Sequence, residues 1–210
     1  MKNLFYLIAL LGLFACNKSN NASSDTGQAG TGNVAYQDVN IADYTVEEVP
    51  QTDWQRATKL DSLGNPSEVG FFDASGKKVG TWIKYHIQKL FPEQITTYKN
   101  GMLNGIFVQM NQFGQIELVA HYQNNNLHGP WAKYRFARLI EKANYKDGKL
   151  EGVFEVYKLE TGKLQSTAEY KNGIREGYFR TYDEHGHITT EYLYRNGEQA
   201  SENTATNTEH

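Results

Sequence analysis

Large side chains recur along this chain at a fixed interval. Trp82, Phe107, Trp131, Phe154 and Phe179 are each followed three residues on by a second large residue, at Tyr85, Met110, Tyr134, Tyr157 and Tyr182. A third column, Tyr98, Tyr122, Tyr145, Tyr170 and Tyr194, has successive spacings of 24, 23, 25 and 24 residues. Between these columns the pattern has period two, as in Ile116, Leu118, Ala120, Tyr122 and in Leu164, Ser166, Ala168, Tyr170. Self-similarity at about two dozen residues marks a repeat array, and period-two alternation marks strands that present different faces to their surroundings.

The polar positions between the columns predict how the strands connect. Asn100-Gly101, Asp147-Gly148, Asn172-Gly173 and Asn196-Gly197 each stand two residues after a column tyrosine, and the Tyr122 copy carries Asn124-Asn125 instead. An earlier, degenerate copy uses Phe72 and Ser75-Gly76. These pairs tolerate the positive φ of type I′ turns and are strong short-range hairpin signals. The opposite reversals fall at Gly64, Gly114, Gly162 and Gly186, in segments such as Asp61-Ser-Leu-Gly64, Asn111-Gln-Phe-Gly114 and Asp183-Glu-His-Gly186. Asp or Asn first and Gly last is type I turn grammar. Arg138 and Lys89 replace this glycine in two copies, which predicts longer or distorted turns there.

Two turns per unit give two consecutive strands per unit. The predicted fold is therefore all-β, an elongated single-layer antiparallel meander of repeated β-hairpins with about ten to twelve strands. No segment has a helical period long enough to cover a face. Residues three apart on a strand lie on opposite faces, so Trp82/Tyr85, Phe107/Met110, Trp131/Tyr134, Phe154/Tyr157 and Phe179/Tyr182 put large side chains on both. Stacked cross-strand pairs at about 0.2–1 kcal/mol each can hold such a sheet without a second layer.

The ends read differently. Lys2 precedes an apolar run over residues 4–15 that is too short to span a bilayer, followed by Cys16, the one cysteine of the chain. Leu13-Phe14-Ala15-Cys16 resembles the lipobox of bacterial lipoproteins, in which the cysteine is lipidated and becomes the first mature residue; the alternative is an ordinary secretory signal with an unpaired thiol. The resemblance, with no Asp after Cys16 and no acidic cluster beyond it, implies a lipid-anchored protein of the bacterial outer membrane facing the periplasm. Residues 1–15 are thus expected to be a lipoprotein signal peptide and 16–33 the lipidated cysteine with an Asn/Ser/Gly/Thr-rich tether of about 20–25 Å root-mean-square reach. Residues 34–71 read as an N-terminal cap, 72–199 as the repeat sheet and 200–210 as a disordered tail.

Two units carry a family resemblance. Residues 145–157 (Tyr-Lys-Asp-Gly-Lys-Leu-Glu-Gly-Val-Phe-Glu-Val-Tyr) and 170–182 (Tyr-Lys-Asn-Gly-Ile-Arg-Glu-Gly-Tyr-Phe-Arg-Thr-Tyr) resemble the bacterial variant of the MORN repeat, the membrane occupation and recognition nexus. The resemblance implies a single-layer repeat sheet used for binding or scaffolding. Bacterial relatives of that kind are described as antitoxin-like neutralisers, and eukaryotic ones as membrane-associated or protein-docking modules.

Composition narrows function further. A formal net charge of -3 with interspersed signs leaves no footprint for nucleic acid. Nucleophile elbows, phosphate loops, dinucleotide fingerprints and HExxH helices have no counterpart in the sequence, so the expectation is a protein that is not an enzyme and takes no cofactor. His185 and His187 stand where sibling turns carry Phe113 and Gln115, or Thr161 and Lys163, and read as loop-tip substitutions with no third ligand placed by spacing; no metal is expected. Lys149, Glu151, Lys171, Arg175 and Glu176 read as a solvated edge. The candidate binding surface is the aromatic columns: Trp82, Tyr85, Phe107, Trp131, Tyr134, Phe154, Tyr157, Phe179 and Tyr182. The expected role is a docking or scaffold surface for a protein or peptide partner, with membrane attachment through Cys16. Alternatives are an antitoxin or immunity-like neutraliser and a glycan or peptidoglycan binder.

Overall fold

The computed structural model describes residues 39–87, 89 and 91–200. The expected signal peptide, Cys16, the tether and the tail from 201 lie outside them. The described residues form one open antiparallel sheet whose strands follow chain order, as the hairpin grammar requires. Its strands are β1 (Thr45–Glu48), β2 (Gln55–Leu60), β3 (Pro66–Phe72), β4 (Lys78–Tyr85), β5 (Pro92–Lys99), β6 (Met102–Met110), β7 (Ile116–Gln123) and β8 (Asn126–Arg135). They continue with β9 (Arg138–Lys146), β10 (Lys149–Leu150), β11 (Gly152–Tyr157), β12 (Leu164–Lys171), β13 (Ile174–Tyr182), β14 (Ile188–Arg195) and β15 (Glu198–Gln199). The described strands number 15, more than expected, because β1, β2 and β3 of the presumed cap pair into the same sheet and β10 and β11 are one return strand interrupted at Glu151. A 3-10 turn at Ile41–Asp43 precedes them, and among the described residues no helix is long and apolar enough to cross a membrane.

The Asn-Gly turns adopt the predicted geometry. Asn100, Asp147, Asn172 and Asn196 have φ of 51–52°, and the glycines that follow have φ of 80–86°. Each turn also bonds to the unit before it. The backbone N–H groups of Gly101, Asn125, Gly148, Gly173 and Gly197 donate to the carbonyls of Lys78, Leu103, Leu127, Leu150 and Arg175 at 2.8–3.0 Å. Side chains from the same places add to this: Glu151 and Glu176 accept the amides of Asn172 and Asn196 at 2.8 and 2.7 Å. The charged Gly-x-x-x-Gly stretch is therefore a seam between repeats as well as a solvated edge.

One face carries a row in which large and small residues alternate across the strands. Trp82 stands opposite Thr96, Thr96 opposite Phe107, Phe107 opposite Ala120, Ala120 opposite Trp131, and Trp131 opposite Ala143. The row continues with Phe154 opposite Ala168 and Ala168 opposite Phe179. Each aromatic ring lies over a small neighbour, so rings fit side by side at the sheet's own strand spacing. Beside this row the column tyrosines face the repeat glycines, Tyr98 against Gly80, Tyr122 against Gly105 and Tyr145 against Gly129, with edge-on ring contacts such as Trp131–Tyr145 at 6.2 Å. Past β13 the alternation ends: Phe179 stacks on Tyr192 at 6.4 Å, and Tyr192 is exposed.

The N-terminal end of this face is sealed. Tyr44 lies edge-on to Phe72 and Trp82 at 5.4 and 5.6 Å, and its hydroxyl donates to Glu68 at 2.6 Å. Lys78 spans Glu68 at 2.5 Å and the Trp82 ring at 3.8 Å, while the indole N–H donates to the Phe71 carbonyl at 3.1 Å. Ala57, Phe72 and Trp82 form a buried cluster against which Val39, Tyr44 and Tyr98 pack.

Burial sets an alkaline limit on this packing. Desolvation pushes the hydroxyls of Tyr98 and Tyr145 up to about 12, against about 10 in an unfolded chain. With the folded value raised, the stabilisation is fully present below about pH 10 and is lost as pH rises toward about 12. Denaturant midpoints are expected to hold steady up to about pH 9 and fall above about pH 10, and phenolate absorbance should show these two tyrosines ionising late. A midpoint unchanged at about pH 11 would contradict it.

Candidate functional site

Trp82, Phe107 and Trp131 are 2%, 6% and 6% exposed, which removes them from any surface that a partner meets. Phe154 and Phe179, on the same face, are half-buried. Tyr85, Tyr134, Tyr157 and Tyr182 are also half-buried, on the opposite face, where the Tyr182 hydroxyl lies 3.2 Å from Thr167 Oγ1. The nine expected residues therefore do not form one open aromatic surface.

The opposite face changes character along the array. Its central row runs Val69, Ile83, Ile95, Val108, Val119, Ala132 and then Lys142, Glu155, Thr167, Arg180, Glu191, each residue paired with the next. The charged part is internally matched, with Lys142–Glu155 at 3.0 Å and Arg180–Glu191 at 2.5 Å. Glu155 raises the Lys142 ammonium above its ordinary value, and Glu191 does the same for the Arg180 guanidinium.

Large apolar side chains gather instead at the turn tips of one long edge. Successive reversals after β2, β4, β6 and β8 present Leu63, Ile87, Phe113 and Phe136, which are 65%, 77%, 74% and 67% exposed. Cations bind these tips together: Lys89 lies 5.9 Å from the Phe113 ring and donates to the Gln112 carbonyl at 2.6 Å. Arg135 lies 5.4 Å from the Phe136 ring, and Arg138 donates to the carbonyls of Leu159 and Glu160 at 3.0 and 2.7 Å. The opposite long edge carries the Asn-Gly and Asp-Gly turns, whose tips are polar.

The reversal after β8 departs from expectation. It is shorter than its siblings, not longer: Phe136 and Ala137 alone make the turn, with φ of 50° and 58°. Arg135 and Arg138 pair directly across it. Positive φ is unfavourable for a phenylalanine, so this turn holds its exposed ring at a cost in backbone strain. Turn chemistry alone does not single out these tip residues; their signal in the sequence is a large apolar residue inside segments where turn grammar asks only for Asp, Asn and Gly.

Farther along the same edge, the reversal after β13 brings metal-ligand atoms together. Asp183, His185 and His187 place one ligand atom each within 4.8 Å of one another, the one such group among the described residues. His86, His121 and His128 make separate backbone or side-chain contacts in other units.

No protein-family model matches the chain, and a search of curated proteins likewise finds no match.

Proposed function

We propose that this chain is a non-enzymatic, MORN-like repeat protein of the bacterial cell envelope, anchored through a lipidated Cys16, that docks a protein or peptide partner. The observation that carries the docking reading is the row of four exposed apolar tips, Leu63, Ile87, Phe113 and Phe136, along one edge of a sheet whose Asn-Gly and Asp-Gly turns on the other edge have polar tips. Apolar side chains held out from a rigid scaffold, with cations alongside, are the composition of an interface core and its rim. The docking surface is thus this edge, in place of the aromatic columns. Burial of Trp82 and Trp131 leaves the glycan reading only the neighbouring, half-buried tyrosines. Neutralisation of an effector is one form that docking on this edge takes.

The test is site-specific photocrosslinking of the full chain in envelope membranes, with the reactive group at Phe113 or, as control, at Asn172 on the polar edge. A discrete protein adduct from Phe113 and none from Asn172 is expected. The double variant Phe113→Ser/Phe136→Ser should weaken capture of that partner by about 2 kcal/mol or more while changing fold stability by only about 0.5 kcal/mol. Equal adducts from both edges, or capture indifferent to the double variant, would remove the tip edge from the function.

A further inference from the structure

The geometry points to a divalent transition-metal site at the turn after β13, formed by Asp183, His185 and His187. The site stands apart from the docking reading and does not rest on it.

The turn fixes the carboxylate first. Asp183 Oδ1 accepts the backbone N–H groups of His185 and His187 at 2.8 and 2.9 Å, which determines where Oδ2 points. Oδ2 lies 3.2 Å from Nδ1 of His187 and 3.9 Å from Nδ1 of His185. The two rings run nearly parallel, 23° apart with centroids 5.9 Å apart, and their side chains are 79% and 78% exposed. Ligand atoms around a tetrahedral ion with bonds near 2.0–2.1 Å stand about 3.3 Å from one another. With all three ligand atoms already inside 4.8 Å, rotation of two exposed imidazoles closes the set without moving backbone.

Sibling turns separate what the fold requires from what is peculiar here. Asp61, Asp73 and Asn111 make the same pair of backbone bonds in their own turns, so an Asp or Asn at this position is structural. The residues that occupy the two histidine positions there are Leu63 and Asn65, Ser75 and Lys77, and Phe113 and Gln115, none of which supplies an imidazole. Only this turn adds two nitrogen donors to the fixed carboxylate. Glu184 is committed elsewhere: Lys158 pairs with its carboxylate, and Lys163 donates to its carbonyl at 2.7 Å. Two imidazoles and one carboxylate suit Zn2+, with solvent water at the remaining position, and other late first-row divalent ions by the same donor set.

Isothermal titration of the full chain, free of any histidine tag, with zinc chloride tests the site. One saturable event is expected, weakened at least about tenfold by His185→Ala, by His187→Ala and by Asp183→Asn. The last variant is the discriminating one, because Asn111 shows that an asparagine builds this turn; it should lose affinity at an unchanged melting temperature. Absence of saturable zinc binding, or binding unaltered by these three substitutions and therefore seated on other histidines, would overturn the assignment.

Discussion

Trp131→Ala is expected to destabilise the protein by about 3–5 kcal/mol. Trp131 is 6% exposed and lies between Ala120 and Ala143, each directly opposite it on a neighbouring strand. A ring removed from between two alanines leaves a cavity that no adjacent side chain on its own row is long enough to fill. Tyr145, whose ring is 6.2 Å away, loses its edge contact at the same time, and its buried hydroxyl already has no hydrogen-bond partner among the described residues. Tyr134→Ala, half-buried on the other face, serves as the comparison and should cost markedly less. Urea unfolding followed by far-ultraviolet circular dichroism reads both. A loss below about 1 kcal/mol for Trp131→Ala would mean that the alternating row is not a core.

Gly70→Val should be nearly as damaging, at about 3 kcal/mol, and by the opposite fault of overpacking. A β-carbon at Gly70 falls 2.1–2.5 Å from three atoms of the Trp82 indole. The ring has nowhere to retreat: its N–H is held by the Phe71 carbonyl, Lys78 covers it at 3.8 Å, and Tyr44, Phe72 and Tyr98 border it. Here glycine is required by contact distance, since the clash is with a side chain across the strand pair. Gly70→Ala, smaller but with the same β-carbon, should already lower the thermal midpoint. A wild-type midpoint for both variants would show that Trp82 sits elsewhere in solution.

The meander itself was legible in the sequence because its turns are chemically explicit. Asn-Gly and Asp-Gly pairs admit the positive φ that the structure shows, and their spacing leaves one connectivity. The separation of Trp131 from Tyr134 to opposite faces follows from strand parity alone. Burial was harder to read, since it depends on what stands across the strand pair. Thr96, Ala120, Ala143 and Ala168 bury the aromatic row only after register is set, and bulges such as Asn104-Gly105-Ile106 opposite Thr97 shift that register within a strand. At the N-terminal end Gly64 marks the reversal between β2 and β3, but the reversal between β1 and β2 carries no glycine, so no turn signal of that kind places β1 in the sheet. At Phe136 and Ala137 loss of the expected glycine predicts a longer or distorted turn; the turn is not longer, and the departure lies in two ordinary residues held at positive φ. Asp183 looked like turn chemistry, and it is; its second carboxylate oxygen becomes informative only beside the two rings.

The seam of bonds from each Asn-Gly turn to the carbonyl of the preceding unit bears on how such a chain changes length over generations. Each turn finds its acceptor one complete unit back, so gain or loss of a whole unit from the middle rejoins donor to acceptor and keeps every remaining side chain on its own face. A one-residue insertion within a strand does the reverse, because it turns every later side chain on that strand over and sends buried rings to solvent. Duplication of an entire unit is thus the small step for this architecture, and a one-residue slip within a strand is the large one.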